Sequence, residues 1–249
     1  MKTKKITVAG MLVQECVYSR AGGRESARVR AAKRKASTEA QQRMNAKYSW
    51  QKLELMLAAN FLPGDLVVTL TYDDDHLPET RTGANAKLKI FRRMMKDLRE
   101  DRGQDLVMIW TTENKSDDGR WHHHCVINAT GEDYTEILRL WVWGKDVEIK
   151  PLKVGKDKNY ESLARYMCKE ARERPGLRSW SYTRSCCHPE TETFPVPDST
   201  DVQAPENATI VAETVVRTEF GEWHFVKYIA ADPQELRRHR PRAKHRRRA

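Results

Sequence analysis

The runs Leu106–Thr112 (LVMIWTT) and Trp121–Asn128 (WHHHCVIN) constrain this chain more than any other feature. Both are rich in apolar, β-branched or aromatic residues. The polar stretch Asn114–Gly119 separates them, so they read as an antiparallel hairpin. Side chains alternate between the faces of a strand. His122, His124 and Val126 therefore share one face, and Trp121, His123, Cys125 and Ile127 share the other. Three of the chain's eight histidines are consecutive, yet only His122 and His124 can reach a common point. His123 is expected to turn toward a packing layer or solvent. A purification tag is excluded by position, because the run is internal and flanked by strand residues.

The flanking segments extend the pattern. Residues 25–60 read as helix, with Trp50, Leu53 and Leu57 at helical spacing before Pro63-Gly64. Asp65–Tyr72 is β-branched and apolar, a buried strand, and residues 73–78 form a turn. Asn85–Asp101 carries Leu88, Phe91, Met95 and Leu98 on one stripe of an amphipathic helix. Helix is expected at 134–141 and 159–174, with a short strand at 147–150 between them. Residues 185–208, with four prolines, read as a loop or linker, and 211–217 with 223–229 as a terminal hairpin. The central run is strand, helix, strand, strand, helix, strand, helix. That is an α+β pattern with a mainly antiparallel sheet, compatible with a ferredoxin-like arrangement.

A net charge of +10 over 249 residues is concentrated in two places, Arg24–Arg43 and Arg237–Arg248. Clustered cations point to a polyanionic partner, and blocks of this kind bind phosphate backbones without reading sequence. No apolar run approaches membrane-spanning length, and the N-terminus lacks a signal-peptide core, so a cytoplasmic protein with no membrane partner is expected. The five cysteines form no CxxC and are expected to be reduced thiols.

Two imidazoles two residues apart on a strand need a third anchor to hold a cation. Glu113 ends the preceding strand, and the hairpin brings it beside them. One carboxylate and two imidazoles with open positions suit Mg²⁺ or Mn²⁺ acting on phosphate oxygens, though also Fe²⁺. The cupin pattern requires a Glu four or five residues after the second His, where this chain has Asn128 and Ala129. The His-x-Asp of α-ketoglutarate oxygenases is absent from the run. Farther on, Tyr166 and Lys169 lie three apart on a helix and so near one another. A tyrosine hydroxyl, with its pKa of about 10, attacks phosphorus only with a polarised phosphodiester and a nearby cation.

In order, Thr69-Leu70-Thr71-Tyr72, Glu113 with His122-His123-His124, and Tyr166-Met167-Cys168-Lys169 resemble the replication initiator (Rep) branch of the HUH endonucleases, in particular the replication-associated group that includes the filamentous-phage gene II protein. Gly119-Arg120 and Ser179–Arg184 look like that group as well. The resemblance implies a ferredoxin-like HUH fold with helices flanking the sheet. It implies Mg²⁺ or Mn²⁺ on Glu113, His122 and His124, with Tyr166 attacking single-stranded origin DNA to leave a 5′-phosphotyrosine and a free 3′-OH, assisted by Lys169. The chain departs from the family in having His123 where a hydrophobic residue is usual. Tyr160 lies six residues before Tyr166 on a different helix face, which argues for a single nucleophile. No GxxxxGK[ST] occurs, so a host or element-encoded helicase, with a polymerase, is the expected partner. An HUH transposase or relaxase and a non-catalytic single-stranded DNA- or RNA-binding module are the alternatives. The expected organisation is a basic helical extension at 1–61, the endonuclease core at 62–190, a linker and hairpin at 191–236, and a disordered basic tail at 237–249, with the oligomeric state open.

Overall fold

A computed structural model of the chain describes residues 1–19, 39–114, 119–154, 159–169, 179–218 and 221–230. The basic stretches 24–38 and 237–248, the end of the hairpin turn at 115–118 and the expected helical residues 170–174 lie outside them. The chain forms two compact units, Glu25–His188 and a second that joins Met1–Arg24 to Pro189–Ala249.

The first unit contains α1 (Glu39–Asn60), β3 (Leu66–Leu70), α2 (Arg81–Asp101), β4 (Met108–Asn114), β5 (Trp121–Ile127), α3 (Asp133–Leu140), β6 (Val147–Pro151), α4 (Glu161–Met167) and the two-residue β7 (Ser181–Tyr182). The strand order is β6-β3-β5-β4-β7, and every neighbouring pair is antiparallel. β4 and β5 pair directly as a hairpin. The crossover through α2 leaves β3 on the other side of β5, and the crossover through α3 returns β6 outside β3. This is the ferredoxin-like order expected from the sequence, with β5 at the centre.

Both faces of the sheet are covered. On one, α2 buries Ala84, Leu88, Phe91 and Met95 against Val68, Leu70, Met108, Cys125 and Ile127, with Trp141 closing the cluster. On the other, Trp50, Leu53 and Leu57 of α1 and Ala164 and Met167 of α4 pack on Ile109 and Val126. α2 begins four residues before the sequence stripe suggested, because the Thr80 hydroxyl accepts from the Gly83 amide and caps the helix. At its far end Arg99, fully buried, pairs with Asp133 and donates to the Asn128 carbonyl at 2.9 Å. α2 is thereby fastened to the start of α3 and to the residue following β5. Among the described residues, no helix is long and apolar enough to cross a membrane.

The second unit is a five-stranded antiparallel sheet of β1 (Lys2–Ala9), β2 (Leu12–Ser19), β8 (Glu190–Val196), β9 (Thr209–Thr218) and β10 (Gly221–Ile229), in the order β8-β1-β2-β10-β9. Two sequence expectations differ from it. The stretch expected as a helical extension at 1–61 starts with two strands turning at Gly10, whose φ of +60° glycine adopts without strain. Within the expected loop at 185–208, residues 190–196 form a strand. Pro195 is tolerated there because β8 is an edge strand that pairs only with β1. The terminal hairpin stands as expected, but as part of this sheet.

His224 on β10 is buried with Asp201 at its Nδ1 and Glu213 Oε1 3.0 Å from its Nε2. Burial disfavours the imidazolium, but the two carboxylates outweigh it and raise the pKa above the ordinary value. The stabilisation is therefore complete below pH ~6.5 and is lost as pH rises through the raised folded value. Hydrogen-exchange protection of β9 and β10, corrected for intrinsic rates, should fall between pH 6 and 8 in the wild type. It should fall markedly less in His224→Gln, and an equal decline in both would contradict the assignment.

Candidate active site

The site is built on the β4–β5 hairpin by its register. Glu113 lies opposite His122, Thr112 opposite His123, and Thr111 opposite His124, while β3 places Thr69 against the other side of His124. Directly paired residues share a face. Glu113, Thr69, His122 and His124 therefore stand on the face covered by α1 and α4, and His123 stands on the face covered by α2.

His124 is the hub. Its Nε2 lies 2.6 Å from Glu113 Oε1 and 3.2 Å from the Tyr166 hydroxyl, and its Nδ1 lies 3.2 Å from Thr69 Oγ1. A carboxylate this close to Nε2 requires a proton between them. Nδ1 of the neutral ring then accepts from the Thr69 hydroxyl, and the Tyr166 oxygen can accept from the shared Nε2 proton. The rings of His124 and Tyr166 meet edge to face with centroids 5.0 Å apart. Glu113, His122 and His124 are each at most 9% exposed, whereas Tyr166 is 47% exposed, so the hydroxyl stands at the boundary between the buried cluster and solvent.

Tyr166 is positioned by its own helix. Asn159 Oδ1 accepts from the Glu161 amide at the start of α4, and Ala164 and Met167 anchor the helix in the core. Tyr166 is left on the flank facing His124, and Lys169 follows just beyond the helix end, exposed. Tyr160 is not at the site. It is buried, and its hydroxyl donates to the Phe61 carbonyl at 3.3 Å.

The electrostatics follow from these contacts. Burial pushes the Glu113 carboxyl up, but the hydrogen bond from His124 and the charges of His124, His122 and Lys169 outweigh it, and the pKa lies below the ordinary value. Burial, with the negative charges of Glu113 and Glu148, raises the Tyr166 hydroxyl above its ordinary value. On the opposite face, His123 is fully buried. Its Nε2 lies 2.7 Å from the Tyr72 hydroxyl, and its Nδ1 2.9 Å from Thr112 Oγ1, which in turn donates to Asn85 at 2.8 Å. Desolvation, reinforced by His124, His122 and Arg81, lowers the pKa of His123 to about 3, so it is a neutral core residue.

One carboxylate and two imidazoles on paired strands are a donor set that fits Mg²⁺ or Mn²⁺. The arrangement is contracted rather than open. Two donors about 2.1 Å from one ion and at right angles stand ~3 Å apart, whereas Glu113 and His124 touch directly at 2.6 Å. Among the described residues, no three His, Cys, Asp or Glu side chains are placed to hold an ion. The sequence expectation of an ion-sized gap is thus met by a hydrogen bond at that point.

Sequence reasoning assigned no role to Thr69, Tyr72 or Glu148. The first two were legible in principle, because alternation along Thr69-Leu70-Thr71-Tyr72 separates a residue facing His124 from one reaching His123. Glu148 lies directly across β3 from Thr69, a neighbour that only the strand order reveals. Cys186 and Cys187 are divided between core and solvent, and all five cysteines are free thiols.

Replacing His123 by Ala should lower stability by about 3 kcal/mol, through a core cavity and orphaned Tyr72 and Thr112 hydroxyls. His124→Ala, at the open end of its face, should cost about 1 kcal/mol, both read from urea midpoints at constant m-value. The reverse order would contradict the facing assignment.

No curated protein and no solved structure gives a significant match to the chain. Residues 65–173 match the model of a family of replication-associated proteins, the group of ORF2 and the phage gene II protein. The segment that carries Glu113, His122, His124, Tyr166 and Lys169 is therefore similar to a replication-associated family.

Proposed function

We propose that the chain initiates rolling-circle replication by nicking single-stranded origin DNA, with Tyr166 as the attacking group. The observation that carries this reading is the half-exposed Tyr166 hydroxyl 3.2 Å from His124 Nε2, the nitrogen that also contacts Glu113. A tyrosine packed only for stability has no need of a buried His–Glu pair aimed at its oxygen.

The proposed reaction exchanges one ester for another. The Tyr166 oxygen forms a bond to the scissile phosphorus as the P–O3′ bond breaks. The phenolic proton is lost from Tyr166, and the departing 3′-oxygen gains one to become a free 3′-OH. Because the Tyr166 pKa is raised, the phenol is protonated at neutral pH and its proton must be received within the site. His124, held between Thr69 and Glu113, is the nearest nitrogen. Burial of the pair keeps bulk water from competing for it. Lys169 offers a cation one helical turn beyond Tyr166, placed to hold a non-bridging phosphate oxygen. Glu113, His122 and His124 would hold Mg²⁺ or Mn²⁺, and the ion would polarise the phosphodiester as a Lewis acid. Exposure of Tyr166 lets a single strand reach it without opening the fold. Helicase and polymerase partners complete this reading, since strand separation and extension from the 3′-OH need them.

The test incubates the protein with single-stranded, origin-like DNA and Mn²⁺ and resolves products on a denaturing gel. A covalent protein–DNA band is expected. It should be absent in Tyr166→Phe, His122→Ala and His124→Ala, and should form about 100-fold more slowly in Lys169→Ala. A band that persists in Tyr166→Phe would remove the nucleophile assignment. Binding without any cleavage would favour a non-catalytic nucleic-acid-binding module.

A further inference from the structure

A second feature of the Glu25–His188 unit is not used by this chemistry. Between α2 and the edge strand β7 lies a groove of about 760 Å³, lined by Lys89, Arg92, Arg93 and Lys96 from the helix and by Tyr182 and Arg184 from the edge. Five cations face two carboxylates, Glu100 and Asp105, across this groove. Lys96 pairs with Glu100 at 2.6 Å, and both are more than half exposed. Among the described residues, Lys89, Arg92, Arg93 and Arg184 make no ion pair.

The arrangement is unfavourable for the isolated protein. Lys89 with Arg93, and Arg92 with Lys96, are like charges four apart on one helix, a spacing that weakens the helix. Arg92 is sunk toward the floor, with its guanidinium carbon 3.9 Å from the centre of the Trp110 ring. Its Nε is buried and has no hydrogen-bond partner among the described residues. Burial lowers the pKa of Arg92. A polyanion laid in the groove would relieve the repulsion and supply the missing acceptors.

We propose that this groove binds the phosphate backbone of single-stranded DNA, away from the Tyr166 site. The inference rests on the nicking function proposed above only for the identity of the strand. Three features favour a single strand over a duplex. The volume is that of a site for a drug-sized ligand, enough for a few nucleotides and too small to seat a double helix. Lys89, Arg93 and Lys96 follow one another along the helix at intervals of four and three residues, a row that tracks one backbone. Tyr182 is partly buried on the opposite wall, where an aromatic ring can stack on a base; a basic groove with an aromatic platform is the usual form of a single-strand site. The groove opens at the β7 edge, beside the Leu106 end of β4, whereas Glu113 is near the other end of that strand. A strand held here is therefore a second contact, not part of the reacting segment.

The experiment measures anisotropy of a labelled single-stranded oligonucleotide with the full chain in EDTA, where metal-assisted cleavage does not intervene. Lys89→Glu/Arg93→Glu/Arg184→Glu alters exposed side chains only. It should weaken binding at least 10-fold at 0.1 M salt and reduce the slope of log affinity against log salt by about 2, since each lost single-strand phosphate contact removes ~0.7. Lys153→Glu, beyond the opposite edge of the sheet, should bind within 2-fold of wild type. Circular dichroism melting of the triple variant should match wild type. Tyr166→Phe should also bind as wild type does, so a failure of the nicking reading in the gel assay leaves this measurement unaffected. Unchanged single-strand affinity in the triple variant overturns the proposal, as does an equal loss in Lys153→Glu. A loss confined to a duplex probe overturns it as well.

Discussion

The placement of β5 at the centre of its sheet, with one histidine facing each way from its neighbours, is the constraint from which the rest of the site follows. β5 is paired on both sides, by β3 and β4, and is buried along its whole length. Its register cannot slip by one residue without exchanging the two faces. His123 enforces that register. It is neutral and fully buried, and both ring nitrogens are bonded to hydroxyls from the two neighbouring chain segments, Tyr72 and Thr112. With His123 fixed on the α2 side, His122 and His124 can only stand on the side of α4.

That geometry sets the electrostatics of Tyr166. A low-lying Glu113 carboxyl and a raised Tyr166 hydroxyl meet at one imidazole nitrogen. Two acids whose surroundings push their pKa values apart around a shared base are the arrangement that proton transfer requires. The same carboxylate that orients His124 also opposes ionisation of the tyrosine. Ionisation of Tyr166 thus depends on cationic help, which Lys169 and a divalent ion in the Glu113–His122–His124 donor set are suited to give in the proposed function.

Much of this was legible in the sequence, and the parts that were not share a physical cause. The order of elements from β3 to α4 was readable because each carries its own periodicity, from Leu88–Phe91–Met95 on α2 to the alternation in WHHHCVI. The separation of His123 from His122 and His124 follows from strand geometry alone, and the structure places them so. The strands β1 and β8 escaped notice for a different reason. Thr3 and Thr7 face the interior, Lys4 and Lys5 give the segment a basic look, and the partners of β1 include β8, about 190 residues away. Nothing local marks such a pairing. Pro195 hid β8 because proline argues against a strand except at an edge, and edge position is a property of the assembled sheet. At the site, residue types identified Glu113 and His124. Their direct contact depends on side-chain approach across a diagonal of the hairpin, which a pattern of residues does not contain.

The central claim is that a strand of DNA becomes joined to one particular oxygen, the Tyr166 hydroxyl. Digesting the protein with protease and nuclease after reaction with single-stranded origin DNA and Mn²⁺, and sequencing the modified peptides by mass spectrometry, tests it directly. Nucleotide mass is expected on a single peptide, with fragment ions that place it on Tyr166. Modification of Tyr160 or of any other residue, with Tyr166 unmodified, would contradict the claim.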